Sequence, residues 1–198
     1  MIVIIFGVSG AGKTTVGKLL ARDLGWRFIE ADDFHSAANI KKMRSGHPLT
    51  DSDRWPWLER LRQEIVHSLD TKESAVLACS ALKRAYRDRL RVSEEVKLVF
   101  LNGDYPLIQE RLRHRRGNFM NPALLKSQFD DLEKPQPNEH VVSIDLGRNP
   151  QELVKEIETK LSLVRQTRSN RFSCSGRNRP PRSVRRCEIE TQEPGRQS

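Results

Sequence analysis

The sequence predicts an α/β domain in which a parallel sheet of about five strands lies between two layers of helices. Short apolar runs alternate with helical stretches between residues 2 and 163. Most of these runs are continuously apolar, which indicates strands that are covered on both faces. Alternation of strand and helix is typical of a parallel sheet with helices on both sides.

The strand candidates are short, and four of them are rich in Val, Ile, Leu and Phe. They are residues 2–6, 27–30, 75–79, 97–101 and 140–144. Ligands of such sheets bind at the carboxyl ends of the strands. The residues that follow these runs are therefore the first candidates for a functional site.

Helices are predicted between the strands from the spacing of apolar residues. Residues 13–24 have apolar side chains on one face, at Val16, Leu19, Leu20 and Leu24. In residues 57–69 the apolar positions recur at spacings of three and four. Three further stretches begin with a proline, a common residue of the first helical turn: 106–116, 122–132 and 150–163.

The excess of basic residues lies mainly at the C-terminus. The chain has 198 residues and a net charge of +9. Residues 165–198 contain nine Arg, no Lys and three Glu, whereas residues 1–164 contain 26 basic and 23 acidic residues. The C-terminal stretch also has too few aliphatic side chains to offset the entropy of ordering. We therefore expect a domain at 1–164 and a basic, disordered tail at 165–198.

Composition also argues against several classes of protein. A near-neutral body disfavours a globular nucleic-acid-binding domain, although a contact between the tail and a polyanion stays open. No apolar run approaches the roughly 18–20 residues of a membrane helix, and the apolar start lacks the basic residues of a secretory signal. An odd number of cysteines without metal-ligand spacing indicates a reducing compartment: Cys79, Cys174 and Cys187. These features predict a cytoplasmic protein.

The strongest motif is a phosphate-binding loop that matches G-x-x-x-x-G-K-[ST] in full. It consists of Gly7, Val8, Ser9, Gly10, Ala11, Gly12, Lys13 and Thr14. A predicted strand precedes it and a predicted helix follows, so backbone N–H groups and the helix N-terminus can face a phosphate. We expect Lys13 to reach the β- and γ-phosphates of a nucleotide and the Thr14 hydroxyl to bind Mg²⁺.

An acidic group follows the second predicted strand at residues 30–35. A carboxylate at this edge of the sheet can orient an acceptor hydroxyl, take its proton, or hold Mg²⁺ through water. A helix cap or a solvated turn is the alternative. We favour the functional role for Asp32 and the structural role for Asp33.

Arg54 lies within an acidic stretch at residues 49–58. Its guanidinium can hold a carboxylate through two hydrogen bonds, or it can form a surface salt bridge with its neighbours. Asp51 or Asp53 is predicted to cap a helix here. Trp55 and Trp57 are predicted to pack rather than to stack on a ligand.

Basic residues recur after the third strand, at one-turn spacing along a predicted helix: Lys83, Arg84, Arg87 and Arg91. A small anionic substrate at the start of this helix would account for some of them, and a solvated basic face accounts for Arg84, Arg89 and Arg91. Cys79, which ends the strand, is predicted to be a core residue rather than a nucleophile.

A further basic group lies at residues 111–119. In a phosphotransferase, a mobile lid at this position would bring arginines onto the transferring phosphoryl group and exclude water. The alternative is a basic helix end that complements the helix dipole.

Together these motifs resemble the gluconate kinase (gluconokinase) family. The resemblance covers residues 2–163 in order, and the phosphate loop alone is common to P-loop kinases. The more particular motifs are EADDFH at 30–35, KKMRSGHPLTDSDRWPWL at 41–58, ACSALKRAYRDRLR at 78–91, RLRHRRGNFM at 111–120 and LLKSQFDDLEKP at 124–135.

The resemblance implies Mg²⁺-assisted, ATP-dependent phosphorylation of D-gluconate at its 6-hydroxyl. It also implies a three-layer P-loop kinase fold with a mobile lid, and often a homodimer. The catalytic group would comprise Lys13, Asp32, Arg111 and Arg115, the last two from the lid. The sugar acid would be surrounded by Asp32, His35, Arg54, Lys83 and Arg87.

Two positions depart from the family pattern. Ser36 stands where the family usually has Pro, and Asn118 where it usually has His. Asn118 donates a hydrogen bond but does not titrate near neutral pH, so we expect altered kinetics rather than an inactive enzyme. Two alternatives stay open: a kinase for another small hydroxy acid such as shikimate, and a catalytically weak ATP-binding module whose tail binds a polyanion.

Overall fold

The structure, a computed structural model, describes residues 1–114 and 122–163. The predicted tail at 165–198 and most of the predicted lid, including Arg115 and Asn118, lie outside the described residues.

Strands and helices alternate along the described chain. The strands are β1 (Ile2–Phe6), β2 (Arg27–Glu30), β3 (Ala75–Cys79), β4 (Val96–Asn102) and β5 (Val142–Asp145). The helices are α1 (Lys13–Leu24), α2 (Ala37–Arg44), α3 (Asp51–Asp70), α4 (Arg84–Leu90), α5 (Tyr105–His114), α6 (Pro122–Asp131) and α7 (Pro150–Lys160). Two 3₁₀ turns lie at Ala31–Phe34 and Pro137–Glu139.

The strands form one parallel sheet in the order β2-β3-β1-β4-β5. β1 is central, because Phe6 at its end pairs with Cys79 of β3 on one side and with Phe100 of β4 on the other. The loops that follow β1, β2 and β3 therefore leave the same edge of the sheet. The predicted α/β fold with a parallel five-stranded sheet is confirmed.

Alternate residues of β1 face two separate apolar layers. Val3 and Ile5 lie in a core with buried side chains of α1, α5, α6 and α7. Ile2, Ile4 and Phe6 lie in a core with those of α3 and α4. All five side chains are fully buried, which explains why the strand is apolar without alternation.

The starts of α3 and β5 differ most from the sequence prediction. α3 begins at Asp51 rather than at residue 57, because Thr50 caps it and Asp53 completes a capping box. The caps predicted at Asp51 or Asp53 are thus the first and third residues of the helix. β5 begins at Val142 rather than at residue 140, because His140 has a left-handed backbone (φ 49°) that ends the preceding 3₁₀ turn.

Helix α2 was not predicted from apolar spacing. Its N-cap is Ser36, whose side chain accepts a hydrogen bond from the Asn39 backbone N–H at 3.2 Å. The Ser that departs from the family pattern therefore has a capping role. Asn39 is buried and donates through Nδ2 to the Asp53 carbonyl at 2.9 Å, which fixes α2 against α3.

Candidate active site

The phosphate-binding loop joins β1 to α1, as predicted. Its glycines adopt positive φ angles of 142° at Gly7, 85° at Gly10 and 93° at Gly12. A Cβ atom on Gly7 would lie 3.0 Å from the Leu101 carbonyl oxygen, and one on Gly10 would lie 2.8 Å from the Leu112 Cγ. Both positions therefore require glycine on conformational and steric grounds. Val8 and Ala11 anchor the loop because their side chains are buried in the core below it.

The two chemically active residues of the loop lie at the start of α1. Lys13 Nζ donates to the Val8 carbonyl at 3.0 Å, so its side chain curls back over the loop. Thr14 Oγ1 donates to Glu30 Oε2 at 2.8 Å. Because the Thr14 hydrogen is directed to Glu30, its oxygen lone pairs remain available to a metal ion.

Glu30 is a site residue that sequence reasoning did not single out. It ends β2, beside the phosphate loop, and burial raises the pKa of its carboxyl group, as does the charge of Asp32, while the bond from Thr14 opposes the shift. The signal was available in the motif at 30–35. Glu30 is the carboxylate at the end of the strand itself, two residues before Asp32.

A cleft at the carboxyl edge of the sheet brings the phosphate loop and the predicted acceptor residues together. Its internal volume is about 140 Å³. Of the predicted site residues, its lining includes Ser9, Lys13, Asp32, His35 and Arg54. Asp32 lies in the 3₁₀ turn after β2 with an exposed side chain, as does Asp33, which does not line the cleft.

Arg54 has a well-defined place in this cleft. Its Nη1 donates to Asp131 Oδ2 at 3.0 Å and to the Tyr86 hydroxyl at 3.2 Å. Burial alone would lower the pKa of Arg54, but the hydrogen bonds with Tyr86 and Asp131 raise it overall. Nη1 also lies 3.7 Å from Asp51 Oδ1 in the acidic stretch, as the salt-bridge alternative predicted, but only 14% of the Arg54 side chain is exposed, so Arg54 is not a solvated surface group.

Lys83 lies beside this group rather than in the cleft lining. Its Nζ contacts both carboxylate oxygens of Asp51, at 2.8 and 3.0 Å, and lies 4.0 Å from Asp131. Hydrogen bonds from Lys83 and Tyr86 lower the pKa of Asp51. Two cations, Arg54 and Lys83, thus share two carboxylates and a phenol at one side of the cleft.

His35 lines the cleft, and its imidazole ring stacks on the ring of Trp57. The ring lies parallel to Trp57, with 4.4 Å between the ring centroids, and burial lowers the pKa of its imidazole. Nδ1 is buried, and among the described residues it has no hydrogen-bond partner. Trp57 is a packing residue, as predicted: it is buried and donates through Nε1 to the Ala31 carbonyl at 2.8 Å.

The structure gives Arg87 a different place from the predicted one. Arg87 belongs to α4, its side chain is fully buried, and it does not line the cleft. Its Nε and Nη2 donate to Glu139 at 2.7 and 3.0 Å, and its Nη1 donates to the Leu82 carbonyl at 2.8 Å. With these donors occupied by the protein, Arg87 supports the fold rather than surrounding a sugar acid.

The predicted lid residues are only partly described. Arg111 is partly buried in the last turn of α5, and the neighbouring Leu112 lies close to Gly10 of the phosphate loop. This contact places the end of α5 beside the loop. Arg115 lies outside the described residues, and its predicted role stays a prediction.

Cys79 is a core residue, in agreement with the sequence prediction. It is buried at the end of β3, and burial raises the pKa of its thiol to about 12. A thiol with such a pKa is almost entirely protonated near neutral pH and is a poor nucleophile.

Among the described helices, none is both long enough and apolar enough to span a bilayer.

Comparisons with known proteins agree with this geometry. The family model described as Shikimate kinase matches residues 9–162. The thermosensitive gluconokinase of Escherichia coli is 44% identical over 83% of this chain and 89% of its own length. The gluconokinase of Gluconobacter oxydans is 41% identical over 78% of this chain and 87% of its own length.

Solved structures give the same grouping. The crystal structure of a gluconokinase from Sinorhizobium meliloti is 42% identical, has a TM-score of 0.74, and covers 81% of this chain and 90% of that chain. Shikimate kinase from Acinetobacter baumannii is 23% identical, has a TM-score of 0.54, and covers 81% of this chain and 93% of that chain. At this identity the likeness supports the fold alone. On these matches, the chain belongs to the gluconokinase family of P-loop kinases.

Proposed function

We propose that this protein transfers the γ-phosphoryl group of ATP to the 6-hydroxyl of D-gluconate, giving 6-phospho-D-gluconate and ADP. The observation that supports this most directly is the shared cleft, whose lining combines Lys13 of the phosphate loop with Asp32 and Arg54. A phosphate-binding cation, a carboxylate and a carboxylate-binding cation are the groups that this reaction needs. The choice of D-gluconate among sugar acids is supported by the gluconokinases to which the chain is similar.

On the donor side, the loop binds the phosphates of ATP. Backbone N–H groups of residues 7–14 and the N-terminus of α1 supply hydrogen bonds and partial positive charge. Lys13 exchanges its bond to the Val8 carbonyl for the β- and γ-phosphates and stabilises the charge of the transition state.

The residues near Thr14 fit a magnesium ion. Mg²⁺ is usually held by few protein oxygens together with substrate phosphates. The Thr14 hydroxyl would supply one such oxygen, and the carboxylates of Glu30, which is bonded to Thr14, and of Asp32 lie in the same cleft. When bound, the ion neutralises charge on the β- and γ-phosphates.

On the acceptor side, each group has a distinct role. Asp32 orients the 6-hydroxyl and accepts its proton as phosphoryl transfer proceeds. Arg54 binds the carboxylate of the sugar acid, with Lys83 adding positive charge nearby. His35 lines the same cleft, and we assign it to the polyol chain of the sugar acid. We propose that Arg111 and Arg115 approach the transferring group from the lid.

A coupled ADP-release assay with Mg-ATP and a panel of acceptors tests this function. The panel contains D-gluconate, shikimate, other sugar acids and nucleoside monophosphates. We expect turnover on D-gluconate to exceed that on every other acceptor. Lys13→Ala removes the phosphate-binding cation and should abolish the activity. Its loss would show that the measured turnover comes from this protein and not from a contaminant. ATP binding without turnover on any acceptor would contradict the proposal.

A kinase for shikimate is the second candidate, since the matching family model is the one described as Shikimate kinase. The same panel separates the two candidates: a higher kcat/KM for shikimate than for D-gluconate would favour the second.

We further propose that the kinase domain is residues 1–164, that the enzyme is a cytoplasmic homodimer, and that the basic tail is dispensable for turnover. The family resemblance supports the dimer, and the composition of residues 165–198 supports the separate tail. Removal of residues 165–198 should leave kcat and KM unchanged, and light scattering should give twice the mass of one chain. A tail-driven binding module would instead lose a salt-sensitive affinity for a polyanion when these residues are removed.

A further inference from the structure

Helix α6 contacts two parts of the cleft at once. Its residues Leu124, Ser127 and Gln128 line the cleft, and Leu125 is buried in the core. Gln128 contacts the phosphate loop, and Asp131, three residues later, contacts Arg54. One helix therefore links the loop assigned to ATP with the arginine assigned to the sugar acid.

The contact between Gln128 and Ser9 involves two hydrogen bonds. Gln128 Oε1 accepts from the Ser9 backbone N–H at 2.7 Å, and Gln128 Nε2 donates to Ser9 Oγ at 3.1 Å. An amide that both accepts and donates fixes the main chain and the hydroxyl of Ser9 together. Ser9 lies in a glycine-rich loop with little intrinsic stiffness, so this contact restrains the loop where it borders the acceptor groups.

The contact between Asp131 and Arg54 orients a guanidinium group. Asp131 and Tyr86 both accept from Nη1 of Arg54. Within the described part of the chain, Nε and Nη2 of Arg54 form no hydrogen bond. The edge formed by Nε and Nη2 has the geometry that binds a carboxylate through two parallel hydrogen bonds.

We propose that Gln128 and Asp131 are positioning residues through which α6 couples the binding of ATP to the binding of the sugar acid. The inference rests on the proposed kinase function. ATP that orders the phosphate loop also orders Gln128 and hence α6, and α6 holds Asp131 against Arg54. The second ligand then meets a site that is already ordered and binds more tightly, an effect that is reciprocal by linkage.

Calorimetry on the full chain tests this coupling. The Kd for D-gluconate is measured with and without a saturating non-hydrolysable ATP analogue and Mg²⁺, for the wild type, Gln128→Met and Asp130→Asn. Met matches Gln in length and helix propensity but cannot bond to Ser9. Asp130 is a suitable control, because it is exposed on the same helix and pairs only with Lys126 among the described residues.

We expect the analogue to lower the Kd for D-gluconate about 5-fold or more in the wild type and in Asp130→Asn, and to leave it nearly unchanged in Gln128→Met. A ratio near one in the wild type, or equal ratios in Gln128→Met and Asp130→Asn, would overturn the proposal. A wild-type protein that turns over D-gluconate without coupling refutes the coupling alone, whereas one that does not turn it over refutes the proposed function.

A second variant guards against loss of folding in the first. Asp131→Asn keeps the size of the side chain and removes its charge. We expect it to raise the KM for D-gluconate, to leave the Kd for the ATP analogue unchanged when no sugar acid is present, and to reduce the coupling ratio. If Asp131 had a purely structural role, the variant would have a lower melting temperature without a selective effect on D-gluconate. That result would also count against the proposal.

Discussion

Arg87 and Glu139 form a bidentate ion pair that is closed to solvent. Nε–Oε2 and Nη2–Oε1 distances are 2.7 and 3.0 Å, and the side chains are 0% and 2% exposed. The pair joins α4 to the 3₁₀ turn before β5, and the Arg87 guanidinium also lies over the ring of Phe6 in β1. A charge pair in this setting stabilises the fold only while both partners are present.

Removal of one partner should therefore lower the free energy of unfolding strongly and change the catalytic activity little. Arg87→Met leaves Glu139 buried without its partner, and we expect a loss of about 3–5 kcal/mol in the free energy of unfolding by urea. Arg89→Met is the control, because Arg89 pairs with Glu59 on the surface. This change should lower the free energy of unfolding by about 0–1 kcal/mol. An unchanged KM for D-gluconate in folded Arg87→Met would agree with a structural role, and a large rise in KM with unchanged stability would contradict it.

The same pair should make stability depend on pH in the acidic range. Burial alone would raise the pKa of Glu139, but hydrogen bonds from Arg87 and the Gln136 N–H lower it below the ordinary value of 4.5. The unfolded chain then binds a proton at higher pH than the folded chain, so this stabilisation is complete above pH 4.5 and decreases as the pH falls through the lowered value. Glu139→Gln should remove this component from urea unfolding measured as a function of pH. An identical acid dependence in both proteins would argue against it.

Arg54 provides the sharpest test of the acceptor side. Arg54→Ala should raise the KM for D-gluconate about 10-fold or more, the loss expected for a charge-assisted contact of about 1.5–3 kcal/mol, with a smaller effect on the KM for ATP. Arg60→Ala is the control, since Arg60 is on the same helix but bonds to the Pro56 and Phe34 carbonyls. An unchanged KM for D-gluconate would remove Arg54 from the pocket.

Most of the fold could be predicted from the sequence because its elements are set by local signals. β1 and β3 are continuous apolar runs, and α1 begins at the phosphate loop and ends at Gly25, which has the left-handed backbone of a C-cap. Helix α2 lacks a strong apolar face and depends on the Ser36 cap and on the bond from Asn39 to α3. Its signal was a single capping residue.

The site was harder to predict, because proximity along the chain does not show which partner a charge will have. Arg87 and Lys83 share one helical segment, yet Arg87 turns into the core toward Glu139, 52 residues later. Gln128 reaches Ser9 across 119 residues. Only the tertiary fold brings such pairs together, whereas the phosphate loop can be identified from eight consecutive residues.

Glu30 should control the magnesium requirement through Thr14. Its carboxylate accepts the Thr14 hydroxyl hydrogen at 2.8 Å and so directs the oxygen lone pairs toward a metal ion. We expect Glu30→Met, which removes both acceptor oxygens, to raise the Mg²⁺ concentration at half-maximal activity about 10-fold, as is typical when a residue that orients a metal ligand is changed. Asp33→Asn, a neighbouring exposed carboxylate outside the cleft, is the control. Equal Mg²⁺ requirements in the two variants would rule out this role.

His35 should add a second pH-dependent component to stability, closer to neutrality. Burial lowers the pKa of its imidazole below 6.5, the positive charges of Arg54 and Arg60 lower it further, and Asp32 opposes the shift. The unfolded chain therefore binds a proton first as the pH falls below 6.5, so stability decreases between 6.5 and the lowered pKa. His35→Gln should flatten urea unfolding free energies across this window, whereas His67→Gln, at an exposed position of α3, should leave the slope in place. If both variants keep the wild-type slope, His35 is not the group that titrates. If His35→Gln alone flattens it, the wild-type imidazole is neutral near pH 7, the form in which one ring nitrogen can accept a hydrogen bond.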